Sequence, residues 1–188
     1  AAAQHPQLAS GVLMLDSPLI SGWRARSLEM AKRAQLVGAV SPGKISRKRR
    51  NLWTQREEAL ALFQSKKSFA RWHPQVLQDY VDHGLAEDAE QRITLHFTRE
   101  EETAIYNTLP HNLSALLRRH PLRCPAAFIG GLSSKEMKQV GMDMTLRITH
   151  GRIMMLDGSH LFPMEQPAVT AAAIEASWLN LQAAARKP

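Results

Sequence analysis

Several features that would mark particular classes of protein are missing from this sequence. Its 188 residues contain one cysteine, Cys124, so no internal disulfide can form and a zinc site built from several cysteines is excluded. No apolar run approaches the ~18 residues that a membrane-spanning helix needs, and no basic and apolar leader with a cleavage site is present. We therefore expect a cytoplasmic protein with no membrane partner.

Acidic residues are scarce in one part of the chain. Residues 17–56 contain ten Lys and Arg and one acid, Glu29, so this segment carries +9 although the whole chain carries +7. The basic character therefore belongs to one region. Its densest part, residues 44–50 followed by Trp53, is typical either of a phosphate or nucleic-acid footprint or of a solvated basic loop. We favour the loop over a nucleic-acid partner, because nothing else resembles a nucleic-acid-binding module.

Three short apolar segments have the pattern of strands in a parallel sheet. Residues 153–156 form a continuous apolar run, which is typical of a strand covered on both faces, and an Asp-Gly pair ends it. Residues 11–15 end at Asp-Ser-Pro, and residues 125–129 end at a pair of glycines. These segments predict a small sheet of the α/β class.

His160 follows the third of these segments on a predicted loop. Open α/β sheets place ligands and catalytic groups at the carboxyl ends of their strands, so this position favours a chemical role. Pro167 then suits the first turn of a closing helix, along which apolar residues recur at helical spacing. The alternative is a histidine that merely caps a turn, and for an isolated histidine that alternative would be favoured; the resemblance of the surrounding residues, given next, favours the catalytic interpretation.

At these positions the sequence resembles the α/β-hydrolase family. GSHLFPMEQP (residues 158–167) resembles the family's catalytic-histidine segment. QHPQLASGVLMLDSPLI (4–20) resembles the end of the helix behind the nucleophile with the next strand, and CPAAFIGGLSS (124–134) resembles the strand that usually leads to the triad acid. The resemblance implies a partial α/β-hydrolase fold, with about three parallel core strands, flanking helices and a helical cap insertion.

The same resemblance implies a division of the chain into three parts. Residues 1–20 would belong to the core, with the end of a helix and a strand. Residues 21–120 would form a mainly helical cap or insertion, and residues 121–188 would form the C-terminal core with the histidine loop and the last helix.

Five apolar or aromatic residues are candidates for lining a substrate pocket. They are Phe69, Trp72 and Tyr80 in a segment that resembles the cap of one hydrolase subgroup, and Leu161 and Phe162 beside the histidine. Apolar residues at helical spacing are also typical of ordinary packing, which is the alternative interpretation.

Two carboxylates are candidates for the acid that orients His160. Asp16 ends the first strand, where some members of the family, such as haloalkane dehalogenases, carry the acid. Glu136 follows the second strand, where most members carry it. Each also has a structural interpretation, since Asp16 could fix its turn and Glu136 could form a capping box with Ser133. The sequence leaves the choice open.

The nucleophile turn of the family, G-x-S-x-G, is absent from these 188 residues. The resemblance therefore implies the C-terminal part of a longer hydrolase of small-molecule substrates, in which His160 is the general base for serine-dependent ester or acyl hydrolysis. This chain alone would be inactive. An Asp nucleophile would imply epoxide or haloalkane hydrolysis instead, and a non-catalytic basic binding module is a further alternative.

The implied reaction needs no metal and no organic cofactor. A proton relay through the histidine and backbone donors for the oxyanion are sufficient for acyl transfer. The substrate and the oligomeric state are left open by the sequence.

Overall fold

The computed structural model of the protein describes residues 1–19, 46–108 and 112–186. The chain divides into two compact units, of which the first comprises Ala1–Glu29 with His111–Pro188 and the second comprises Met30–Pro110. None of the helices in the described ranges is long and apolar enough to cross a membrane.

The described secondary structure alternates short strands with helices. In chain order the strands are β1 (Val12–Leu15), β2 (Leu52–Trp53), β3 (Leu85–Glu87), β4 (Ile93–Leu95), β5 (Ala126–Gly131) and β6 (Ile153–Leu156). The helices are α1 (Arg56–Gln64), α2 (Pro74–Gly84), α3 (Arg99–Thr108), α4 (Leu113–Arg119), α5 (Lys135–Val140), α6 (Asp143–Thr149), α7 (Phe162–Glu165) and α8 (Pro167–Ala185). A short 3₁₀ helix, Pro6–Leu8, precedes β1.

A three-stranded parallel sheet forms the centre of the first unit. Its strand order is β1-β5-β6, with Val12 paired to Ala126 and Phe128 paired to Ile153. All six residues of β5 are buried, as expected for a middle strand covered on both faces. Helices α6 and α8 pack on this strand. The predicted α/β class, with three parallel core strands and flanking helices, is confirmed.

The carboxyl ends of the three parallel strands meet at one edge of the sheet. Asp16 follows β1, and its N–H donates to the Ile129 carbonyl at 2.8 Å. The loops after β5 and β6 are also joined, because Leu132 N–H donates to Leu156 O at 2.9 Å and Ser133 N–H donates to Gly158 O at 2.9 Å. This backbone network places the residues that follow the strands within reach of one another.

Gly131 allows the end of β5 to approach the histidine loop. The sequence analysis ended the second apolar segment before Gly130-Gly131, but both glycines belong to the extended strand. A Cβ atom at Gly131 would lie 2.3 Å from Ser159 O and 2.7 Å from Gly158 O, far closer than real contacts allow. The glycine is therefore required by close packing against the backbone of the loop rather than by a turn.

Gly131→Ala is expected to lower the free energy of unfolding by about 1–3 kcal/mol, because the added methyl group must displace backbone rather than a flexible side chain. Urea unfolding followed by circular dichroism measures this change. Gly11→Ala is the matched control, since a Cβ there would lie 3.5 Å from its nearest neighbour, at ordinary contact distance. Equal stability of the two variants would contradict the close approach.

The second unit contains an antiparallel sheet with the strand order β2-β4-β3. Its described core is apolar and is formed by residues from both helices and strands: Trp53, Ala59, Phe63, Leu77, Val81, Leu85, Ile93 and Leu95. The arginine that begins α1, Arg56, donates to the Val81 carbonyl at 2.6 Å and to the Leu85 carbonyl at 3.2 Å, which ties α1 to the end of α2.

Two arginines of the predicted basic cluster are paired with carboxylates in the second unit. The Arg49 guanidinium lies 2.7 Å from the Glu102 carboxylate, and Arg50 forms an ion pair with Glu58. The Thr54 N–H and the Arg50 guanidinium together lower the pKa of the Glu58 carboxyl group. Residues 20–45, which hold five of the ten Lys and Arg of the basic segment, lie outside the described residues, so the choice between a nucleic-acid footprint and a solvated loop stays a prediction.

Candidate catalytic site

Asp16 is the buried acid at the carboxyl edge of the parallel sheet. Its backbone φ is 42°, a left-handed conformation that Asp adopts more readily than most residues. Its side chain is 1% exposed and accepts two hydrogen bonds: Gly131 N–H donates to Oδ1 at 2.9 Å, and Ser134 Oγ–H donates to Oδ2 at 2.6 Å. The carboxylate is therefore held in one orientation by the end of the neighbouring strand.

His160 completes the arrangement from the other outer strand. Its Nδ1 lies 2.7 Å from Asp16 Oδ2, and its side chain is 43% exposed, in contrast to the buried acid. A carboxylate can only accept, so this contact favours the tautomer with the proton on Nδ1. The other ring nitrogen, Nε2, then carries a lone pair and can accept a proton from a reacting group.

Ser134 links the acid to the helix that follows β5. Its hydroxyl accepts a hydrogen bond from Met137 N–H at 3.2 Å, as the N-cap of α5, and donates to Asp16. One interpretation of the sequence placed the cap at Ser133, with Glu136 as its partner, and the structure places the cap one residue later. Sequence reasoning did not identify Ser134 as part of the site, because its cap position was assigned to its neighbour.

Glu136 is the second candidate acid, and its nearest contact in the site is Ser134 rather than the histidine. Its carboxylate is 3.4 Å from Ser134 Oγ, whose single proton is already donated to Asp16 at the much shorter distance of 2.6 Å. Glu136 is exposed and forms no hydrogen bond with His160 among those described. Of the two candidates, Asp16 is the one in contact with His160.

The two candidate acids and the histidine could also be considered as metal ligands. One ligand atom from each of Asp16, Glu136 and His160 lies within 4.8 Å of the others. However, Nδ1 and Oδ2 are 2.7 Å apart and share a hydrogen bond, so a cation bound by both atoms would have to replace that proton.

The loop that carries His160 is held by Glu165, which the sequence analysis did not single out. Glu165 accepts from Ser159 N–H at 3.0 Å and from Ser159 Oγ–H at 2.6 Å, and Leu161 N–H donates to Ser159 Oγ at 3.1 Å. The only available signal was a serine and a carboxylate on either side of the histidine in one short loop. These bonds restrict the backbone on both sides of the imidazole.

Of the two predicted pocket residues beside the histidine, Phe162 has no surface to offer a substrate. Its side chain is 0% exposed and packs with Ile129 and Ala173 in the core under the sheet. The expectation of a pocket residue is therefore corrected: Phe162 anchors the loop by burial. Leu161 is half-buried, and its role at a pocket stays a prediction.

The other three predicted pocket residues belong to the second unit. Phe69 and Trp72 have ring centroids 4.7 Å apart, and Trp72 and Tyr80 are 5.7 Å apart. They pack against the apolar core of that unit, and burial raises the pKa of the Tyr80 hydroxyl. They form one aromatic cluster, and their contribution to substrate binding stays a prediction.

Comparisons with known proteins agree with this architecture. No family model and no curated protein matches the chain. Among solved structures it is similar to the peroxisomal alpha-beta-hydrolase Lpx1 from Saccharomyces cerevisiae, with a TM-score of 0.61 and 15% identity over 100% of this chain and 50% of that chain. The similarity to E-2-(acetamidomethylene)succinate hydrolase has a TM-score of 0.61 and 18% identity over 93% of this chain and 59% of that chain.

A thioesterase domain from the curacin biosynthetic pathway is similar to the same degree, with a TM-score of 0.60 and 13% identity over 92% of this chain and 60% of that chain. These likenesses show that the chain has an α/β-hydrolase-like fold. The chain spans 50–60% of the length of these three structures.

Proposed function

We propose that this chain carries the histidine and the acid of the catalytic triad of an α/β-fold hydrolase. The observation that supports this most directly is the contact of 2.7 Å between His160 Nδ1 and Asp16 Oδ2, which joins residues 144 positions apart in the sequence. The acid is buried and already held by two other donors, whereas the imidazole is exposed. A histidine that only capped a turn would not require a buried carboxylate oriented towards it.

In the proposed reaction, His160 acts through Nε2. It takes the proton from a serine hydroxyl as the serine oxygen attacks an ester or related acyl carbonyl, and then gives that proton to the leaving group. Water repeats the sequence on the acyl-enzyme. Asp16 holds the Nδ1–H throughout, so it keeps the ring in the reactive tautomer and stabilises the imidazolium that forms.

The bonds to Asp16 explain how the acid is held in place for this role. Gly131 N–H and Ser134 Oγ–H both donate to the carboxylate, which prevents its rotation away from the histidine. In this proposal the serine nucleophile lies outside these 188 residues, which contain no G-x-S-x-G turn. We propose that it precedes Ala1 in a longer protein.

The test begins with the coding sequence upstream of Ala1, read in the same frame. A G-x-S-x-G turn there would be followed by expression of the longer protein and an assay with p-nitrophenyl acetate, butyrate and octanoate. We expect steady hydrolysis by the longer protein and none by the 188-residue chain. If the 188-residue chain hydrolysed these esters steadily and the His160→Ala variant did not, the proposal that the nucleophile lies outside this chain would be wrong.

One observation also fits a second reaction. The acid that contacts His160 follows β1, which is the position that the sequence analysis associated with haloalkane dehalogenases. If an Asp stands in place of the serine, His160 would activate water against an alkyl-enzyme ester, and the substrates would be epoxides or haloalkanes. In that case the His160→Ala variant would accumulate the ester, which intact-protein mass spectrometry would detect as a mass increase.

A further inference from the structure

A cavity lies in the first unit, at the end of the parallel sheet opposite to His160. It has a volume of about 640 Å³ and is lined by parts of α4, α6 and the end of α8. Pro125, which directly precedes β5, and Arg152, which directly precedes β6, also line it. The cavity is therefore at the amino ends of the strands, whereas the candidate catalytic residues are at their carboxyl ends.

The lining of this cavity is strongly basic. Four arginines contribute to it, namely Arg118, Arg123, Arg147 and Arg152, and no lining residue is acidic. Within the described ranges, no ion pair joins any of them to a carboxylate. Several guanidinium groups around one space repel one another, and an anion bound between them would relieve that repulsion.

A buried hydroxyl in the same lining also lacks a partner. Ser114 Oγ is inaccessible to solvent and has no hydrogen-bond partner among the described residues. Buried polar atoms are almost always hydrogen-bonded, so this hydroxyl still needs an acceptor, and the adjoining cavity is where a rotation of the Ser114 side chain would find one. The guanidinium groups are the donors that an anion in the cavity would meet directly.

Apart from His150 and the thiol of Cys124, the remaining lining is apolar and would suit a hydrocarbon portion of a ligand. Leu117, Leu122, Met144 and Ile148 contribute side chains to the cavity, whose volume lies within the range usual for small-molecule sites. We propose that this cavity binds a phosphate monoester that carries an aliphatic chain. A dianionic phosphate matches several guanidinium groups better than a monoanionic head group does.

Calorimetric titration of the 188-residue chain with octyl phosphate tests the proposal, with inorganic phosphate and octanol as the two partial ligands. We expect octyl phosphate to bind more tightly than either, and to bind more weakly as the salt concentration rises.

Sedimentation with vesicles that contain phosphatidic acid distinguishes the source of the ligand. If the chain sediments with the vesicles and soluble octyl phosphate reverses this binding, the ligand is a lipid. If the chain binds octyl phosphate but not the vesicles, the ligand is a free metabolite. Binding of neither would overturn the proposal.

Variants connect the binding to this cavity. Arg118→Gln and Arg147→Gln are each expected to weaken octyl phosphate binding about tenfold, because each removes charge-assisted hydrogen bonds to the head group. Arg119→Gln is the matched control, since Arg119 lies on the same helix and is exposed but does not line the cavity. An equal loss in all three variants would mean that binding follows overall charge, and the proposal would be wrong.

Cys124 provides a second readout that needs no substitution. It lines the cavity, is partly exposed and is the only thiol in the sequence. Saturating octyl phosphate is expected to slow its alkylation by iodoacetamide several-fold, and inorganic phosphate at the same concentration to slow it less. An alkylation rate unaffected by octyl phosphate would place any binding elsewhere and would contradict the proposal.

Discussion

Replacing His160 by alanine is expected to lower kcat for ester hydrolysis by about 10⁴-fold or more in the protein that supplies the proposed serine. The loss is large because the serine hydroxyl is a weak nucleophile until a base removes its proton, and no other imidazole is hydrogen-bonded to a buried acid in the described part of the chain. Steady-state kinetics with p-nitrophenyl butyrate measures the effect. KM is expected to change little, because the imidazole contributes to the transition state more than to substrate binding.

The control for this experiment is His120→Ala. His120 is an exposed residue at the C-terminal end of α4, with its backbone N–H bonded to Leu116 O, and it takes no part in the proposed site. We expect this variant to keep the activity of the unchanged protein. A His160→Ala variant that kept more than about a tenth of the rate would show that another group is the base, since general-base catalysis alone contributes about 10²–10⁴-fold.

Asp16→Ala is expected to destabilise the 188-residue chain by about 2–4 kcal/mol. The substitution removes the acceptor of both Gly131 N–H and Ser134 Oγ–H, and both hydrogen bonds are buried. A buried donor left without an acceptor has lost its hydration without a replacement, so the cost exceeds that of an exposed hydrogen bond. Urea unfolding measures the effect without any need for catalytic activity.

Asp157→Ala is the matched control for Asp16→Ala. Asp157 also follows a strand of the parallel sheet, but it is exposed, and the described hydrogen bond at this position uses its backbone carbonyl. Its replacement is expected to change the free energy of unfolding by less than about 0.5 kcal/mol. If the two Asp variants were equally stable, the buried network around Asp16 would not form as described.

Comparison of the His160→Ala and Asp16→Ala variants separates the structural role of the acid from its role towards the histidine. His160 is 43% exposed, so its replacement by alanine is expected to cost much less stability than Asp16→Ala does. A catalytic loss without a loss of stability therefore identifies a chemical role for His160. Asp16→Ala would affect both quantities, because the same carboxylate holds the loop after β5 and the imidazole.

The strands and the histidine loop were predictable because their signals are local. The apolar run at residues 153–156 coincides with the bounds of β6, and the proline at position 167 begins α8. Apolar periodicity, an Asp-Gly stop and a proline at the first helical position act on the backbone over a few residues. The likeness to solved α/β hydrolases supports the fold that these segments implied.

Burial at single positions could not be predicted in the same way. Phe162 was a candidate for lining a substrate pocket beside the histidine, yet its side chain is buried in the core with Ile129 and Ala173. An apolar residue in a loop has the same local pattern whether it lines a cavity or anchors the loop. Glu165 and Ser134 were missed for a related reason, since a hydroxyl or carboxylate on the chain gives no indication of which buried donor or acceptor it meets.

The sequence by itself determined that this chain has short parallel strands and a histidine on the loop after the last of them. Only the tertiary structure decided which acid meets that histidine. Asp16 and His160 follow the two outer strands, and their contact depends on the order β1-β5-β6 and on the close approach of the loops at Gly131. Strand order and register are long-range properties, so a contact over 144 positions becomes visible only when the sheet is assembled.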